Sequence, residues 1–291
     1  MTKRKFHLVI IDPQNDFCDL PEAYRPELPR RAGRSAPALP VPGAHADMLR
    51  LAGIIERAGA GLNAITVTLD SHQRVDIAHP TFWQTGAGQP VPAFTQIASA
   101  DVRAGTFVPR LVGARDRALA YLEALEAKGR YRHMVWPVHC EIGSWGHNVH
   151  ADLRAAYNAW EERTLCSVKK LVKGTNPWTE HYSAIEAEVP DADDASTLTN
   201  TGFVDELRDA ECVFIAGEAG SHCVKATTEH LVAHLQPSEL SRLVLVTDCM
   251  SPVAGFEAPY ADFVAAMVER GLRVARAADV ERALLDNARP A

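Results

Sequence analysis

The apolar positions along the chain fall into two alternating kinds of run. His7-Leu-Val-Ile-Ile-Asp12 is short, continuous and β-branched, the pattern of a central strand buried on both faces. Asn63 to Leu69, Ser167 to Val172, Cys212 to Ala216, Arg242 to Thr247 and Leu272 to Ala275 read as further strands. Between them lie helical stretches: Ala44 to Ala60 (apolar at Met48, Leu49, Leu51, Ile54 and Ile55), Asp116 to Lys128, Val149 to Glu162, Cys223 to about Leu235, and Ala258 to Arg270. Such alternation predicts an α/β fold, a parallel sheet covered on both faces. Three stretches fall outside it. Cys18 to Pro42 holds six prolines and reads as a loop excursion, His79 to about Arg110 is rich in Pro, Gly and Thr with no element assigned, and Met134 to His139 reads as a turn. With no internal repeat and no interdomain linker, one domain with inserted loops is the economical reading.

Sites in parallel sheets form beyond the carboxyl ends of the strands. Asp12, Asp70, Lys173 and the bend before Cys223 all fall at such ends, which predicts one shared cleft. Gly217 and Gly220 turn the chain from strand to helix and leave Cys223 in the first helical turn, where free N–H groups and the helix dipole favour a thiolate. The residue reads either as a nucleophile or as a cysteine packed as a small hydrophobe. Asp12 and Lys173 read as its base and its electrostatic partner, or as solvated groups at loop starts. The backbone N–H groups from Ala219 to Cys223 are placed to hold an oxyanion. In Asp70-Ser-His72 two metal-capable side chains stand at i and i+2, on one face of an extended segment. With His79 and His139 they make one carboxylate and two or three imidazoles, a donor set for zinc, iron or manganese. His147, His150, His230 and His234 read as surface or packed residues.

Composition narrows the function. Among 291 residues 47% are hydrophobic and 23% charged, which excludes disordered, collagenous and coiled-coil chains. A net charge of −7 without a basic cluster argues against a nucleic-acid or anionic-membrane partner. No apolar run approaches the ~20 residues of a membrane span, and the N-terminal run ends at Asp12, too short for a signal peptide. A cytoplasmic location is expected. The six cysteines (18, 140, 166, 212, 223 and 249) are scattered, with no C-x-x-C pair, and read as reduced thiols.

Taken in order, Ile11-Asp-Pro-Gln-Asn-Asp-Phe17, Leu69-Asp-Ser-His72, Trp136-Pro-Val-His-Cys140, Val172-Lys-Gly-Thr-Asn-Pro177 with Tyr182-Ser183, and the Ala219–Val224 turn resemble the isochorismatase-like cysteine hydrolase superfamily, most of all its nicotinamidase branch. The match runs from about residue 7 to 275, with insertions at about 18–42, 84–132 and 145–165. The resemblance implies a three-layer α/β/α domain around a central, mostly parallel six-stranded sheet, spanning residues 1–291 with loop insertions. It implies a metal-containing amidase that uses Cys223 as nucleophile, Asp12 as general base and Lys173 as the cation beside the thiol, with Ala219 and Cys223 supplying the oxyanion N–H groups. Asp70, His72 and His139 match the divalent-metal ligands. His79 lies one residue off the place of a further histidine ligand. Phe17 and Trp136 match aromatics that sandwich a pyridine ring, a role that competes with simple core packing, and Tyr182 joins them as a substrate contact. The bond between Glu218 and Ala219 matches one that is cis in the family. The implied reaction converts nicotinamide and water to nicotinate and ammonia; a related amidase for another carboxamide, carbamoyl or ureido compound, and a catalytically silent binding protein, are the alternatives. Three departures concern substrate choice: Ser71 replaces an aromatic, Ser221 an acidic residue, and Glu218 a small apolar residue that would place a carboxylate in or beside the pocket. The insertions have room to build a lid, a pocket wall or the contact of a homo-oligomer.

Overall fold

Six of the apolar runs lie side by side in one all-parallel sheet in the computed structural model, which describes residues 3–30 and 32–289. In chain order the strands of the molecule are β1 (Phe6–Ile11), β2 (Ala64–Asp70), β3 (Trp83–Thr85), β4 (Thr95–Gln96), β5 (Phe107–Pro109), β6 (Met134–Val135), β7 (Lys169–Lys173), β8 (Cys212–Gly217), β9 (Leu243–Val246) and β10 (Arg273–Ala275). The helices are α1 (Ala44–Ala58), α2 (Ser99–Ala104), α3 (Arg115–Lys128), α4 (Ala151–Thr164), α5 (Thr201–Arg208), α6 (Cys223–His234), α7 (Glu257–Glu269) and α8 (Ala277–Ala288). The large sheet has the order β10-β9-β8-β1-β2-β7. The order reverses between β1 and β8, and a crevice opens at the carboxyl ends of strands where that happens.

Alternate side chains of β1 serve two cores. Leu8 and Ile10 pack under α1, α4 and α8 with Met48, Leu51, Ile55, Trp160 and Leu284. Val9 and Ile11 pack on the other face with Phe203 of α5, Leu231 of α6 and Phe263 of α7. That two-sided burial is why the strand reads as an unbroken apolar run. Register then places the site: Ile11 pairs with Gly217, and Asp70 with Lys173, so four strand ends finish at one rim.

Elsewhere the structure departs from the pattern. Met134 and Val135 form β6, antiparallel to β4, rather than a simple turn. The unassigned stretch holds β3, paired with β5, and the short α2. With α3 these pieces enclose a third apolar cluster around Ile77, Trp83, Ile97, Leu122 and Val135. Neither α8 nor α5 was expected. The segment at 145–165 is largely α4, whose Trp160 donates its indole N–H to the Gly59 carbonyl at the end of α1 (2.9 Å). Among the described residues no helix is long and apolar enough to cross a membrane.

Candidate active site

Lys173, the last residue of β7, organises the rim. Its Nζ lies 2.9 Å from Asp12 Oδ2, 2.9 Å from Asp70 Oδ1, 2.8 Å from the His181 carbonyl and 3.7 Å from Cys223 Sγ. All four side chains are buried, with Asp12 wholly so. Asp12 follows β1 with φ 42°. Its backbone N–H donates to Thr68 Oγ1 (3.0 Å), and the Thr68 hydroxyl donates to Asp12 Oδ1, so β2 fixes the orientation of the carboxylate. Gly217, at φ +108°, makes the departure from β8 possible: a Cβ there would stand 2.0 Å from the Ile11 carbonyl oxygen. The chain then passes through a cis Glu218–Ala219 peptide and enters α6 at Cys223. Among the described residues, neither the Ala219 nor the Cys223 N–H donates to an internal acceptor.

Burial works against the charge on Lys173, yet Asp12, Asp70 and Cys223 together reverse that effect and hold its pKa well above the ordinary lysine value. Burial raises Asp12, opposed by Lys173 and reinforced by Asp70. Burial likewise pushes the Cys223 thiol well up, against the pull of Lys173 and with the push of Asp12 and Asp70. The sequence reading, with only a helix start and a cation in view, favours a resting thiolate. In the folded site desolvation and two carboxylates oppose them and favour the thiol form.

Beside this trio, Asp70 Oδ2 lies 3.0 Å from His72 Nε2 and 3.3 Å from His139 Nε2. His72, His79 and His139 each bring one ring nitrogen to within 4.8 Å of the others. His72 Nδ1 meets Asp76 Oδ2 at 3.1 Å, and His139 Nδ1 meets the Pro137 carbonyl at 2.8 Å. With their Nδ1 atoms engaged by those outer contacts, both Nε2 atoms would be free to ligate an ion beside Asp70, as in metal sites where an outer carboxylate or carbonyl fixes the ligating tautomer. The buried donor set fits a divalent ion. His79, weakly placed by sequence spacing, is part of the cluster.

A cavity of about 340 Å³, its mouth included, opens onto both groups. Phe17, Trp136, Tyr182, Ala219, Cys223, Asp70 and His139 line it, as the sequence led one to expect. Trp136 Nε1 donates to Tyr182 Oη (2.9 Å), which locks two of the aromatic walls together. Sequence reasoning missed Leu39, Glu180, His222 and Val253 in the same wall. Leu39 comes from the proline-rich excursion, and no periodicity marks it. Glu180 is buried with its Oε2 unpartnered among the described residues, and burial raises its pKa. Its position two residues before Tyr182 was the only available signal. Glu218 does not face the cavity; its carboxyl points away, toward Ser251 (Ser251 N to Oε2, 3.2 Å).

Comparison with known proteins gives a consistent picture. No protein-family model and no curated protein matches the chain in sequence. Solved structures do match it. The nicotinamidase/pyrazinamidase of Acinetobacter baumanii superposes with a TM-score of 0.60 at 18% identity, covering 95% of this chain and 98% of that one. The chain has the nicotinamidase fold. Yeast nicotinamidase bound to the inhibitor nicotinaldehyde gives 0.59 at 18% identity, over 93% and 99% of the two chains. Pyrococcus horikoshii pyrazinamidase in complex with zinc gives 0.52 at 18% identity, over 94% and 99%.

Proposed function

We propose that the chain is one hydrolase domain, a cysteine-dependent amidohydrolase of small planar carboxamides, with nicotinamide as the leading substrate. The observation that carries this reading is the convergence of Cys223, Asp12 and Lys173 beside two undonated N–H groups, at the end of an aromatic-walled cavity. Two flat walls, Phe17 and Trp136, suit a flat heteroaromatic guest. Asp12 accepts the Cys223 proton as sulfur attacks the carboxamide carbon. The oxyanion is taken up by the Ala219 and Cys223 N–H groups. Asp12 returns the proton to nitrogen as the C–N bond breaks and ammonia leaves. Asp12 then deprotonates a water that adds to the thioester, and the acid departs as the thiol is restored. Lys173 stays charged throughout and offsets the negative charge at Asp12 and sulfur.

Asp70, His72 and His139, with His79, would hold a divalent ion, and zinc, iron and manganese all suit that set. Zinc has the further support of the zinc-bound Pyrococcus neighbour. When bound, the ion supplies a Lewis acid at the wall of the cavity. A related amidase acting on another small carboxamide is favoured by one observation: the Glu180 Oε2 atom in the cavity wall, unpartnered among the described residues, which suits a substrate carrying an extra polar group. Ammonia release across nicotinamide, pyrazinamide, aliphatic amides and ureido compounds, on protein of measured metal content, separates the readings. Nicotinamide turning over no better than an aliphatic amide would remove the ring-binding role of Phe17 and Trp136. Full activity in Cys223→Ala would sink the nucleophile, and no ammonia release by the wild type from any of these amides would favour a binding protein instead.

A further inference from the structure

Behind the turn that carries Ala219 and Cys223, two carboxyl groups are buried against each other. Glu218 is fully buried and Asp47, on α1, is 2% exposed. Ser251 bridges them: its N–H donates to Glu218 Oε2 (3.2 Å), and its hydroxyl donates to Asp47 Oδ2 (2.6 Å). Arg50 Nη2 donates to Asp47 Oδ1 (2.8 Å). Glu218 Oε1 has no hydrogen-bond partner among the described residues, so the two buried acids are joined through the one serine, and no cation of the described residues pairs with Glu218. Arg50 compensates one negative charge, on the Asp47 side. A second bare charge in this position is far costlier than one retained proton.

We propose that Glu218 is a positioning residue whose carboxyl shares one proton with Asp47 and so fixes the Gly217–Cys223 turn to α1 and to the segment after β9. That segment already braces the turn by main chain: Gly217 N to Cys249 O (2.9 Å), Gly220 N to Ser251 O (2.8 Å) and Val253 N to Ser221 Oγ (3.0 Å). The Tyr260 ring stands against Gly220, where a Cβ would come within 2.7 Å. The N–H groups of Ala219 and Cys223 therefore sit between anchors, and the acid pair is the one that ties them to the opposite face of the sheet. The other titratable groups around the pair are Asp19 and Cys18 before α1, Arg50 on α1, Asp248 and Cys249 after β9, and Tyr260 on α7. Burial, with Asp47 beside it, holds the Glu218 pKa well above the ordinary carboxyl value. An acid raised in the fold adds stability while protonated and loses it as pH rises through the raised value.

The catalytic consequence rests on the amidohydrolase reading; the shared proton does not. Glu218→Gln and Asp47→Asn each replace the proton with an amide N–H, whereas Glu218→Ala removes the link. At pH 6.5 Glu218→Ala should lower kcat for ammonia release about 10²-fold with KM moved less than about threefold, because the misplaced N–H groups act on the transition state. Glu218→Gln and Asp47→Asn should keep kcat within about threefold of the wild type. In thermal melts from pH 4.5 upward, the wild-type Tm should fall more steeply with pH than that of Glu218→Gln, because the loss begins at the unfolded carboxyl value. A folded Glu218→Gln protein as impaired as Glu218→Ala, or parallel Tm–pH curves for wild type and Glu218→Gln, overturns the proposal. Should the wild type release ammonia from no amide, the functional reading fails, and the Tm comparison still decides the shared proton.

Discussion

At the scale of single residues, the proposed reaction depends on the Cys223 thiol and on Asp12 as the acceptor of its proton. Replacing Asp12 with Asn should cut kcat by about 10²–10⁴-fold, the usual contribution of a positioned base, and Cys223→Ala by at least as much. Because the two act as a unit, the double variant should be no slower than Cys223→Ala alone; single-turnover ammonia release measures all three. The metal set makes a separate prediction through Asp76, which touches His72 Nδ1 at 3.1 Å and lies behind the donor atoms. Asp76→Ala should weaken metal affinity about 10–100-fold by freeing the ring, read by competition with a chelating dye and by metal analysis. Asp12, Asp70 and Lys173 were legible because each ends an apolar run, and a strand end in a parallel sheet is a defined place. Glu180 and His222 were not, since they stand in a loop and a turn where no periodicity says which way a side chain points.

Among elements, the strand-to-helix turn after β8 is the most constrained. Gly217→Ala places a Cβ 2.0 Å from the Ile11 carbonyl at φ +108°, so β1 and β8 would have to part where the base and nucleophile are aligned. A loss of about 2 kcal/mol or more is expected, seen as a lower urea midpoint. Residual activity should fall further than stability in that variant. The inner strands β1, β2, β8 and β9 were readable because each is an apolar run of four to seven residues buried on both faces, whereas the edge strands β7 and β10 are partly exposed. β3 to β6 span two or three residues each, too few for any period to show. α8 escaped because little of it reaches the core: Val280 and Leu284 are its buried residues, set among alanines and charges. α5 is short, and its amphipathic face, Phe203, Val204 and Leu207, lies within eight residues.

For the molecule as a whole, acid should be the weak side. Burial depresses His7, His133 and His222 to about 4. A histidine held neutral in the fold gives stability that is present above its unfolded pKa, near 6.5, and is lost as pH falls toward the folded value. Each contributes a slope of up to roughly 1.4 kcal/mol per pH unit in that window, so urea midpoints should drop steadily between pH 6.5 and 4. A flat profile there would mean that the interior histidines are hydrated. The chain order of the sheet has one more consequence. β1 lies between β2 and β8, so during synthesis its second edge stays open until residue 212 and its neighbours have left the ribosome. Asp12 emerges more than two hundred residues before the cysteine. The growing polypeptide therefore carries the proposed base early and the proposed nucleophile late, and the two can meet only after the whole stretch between them has been made.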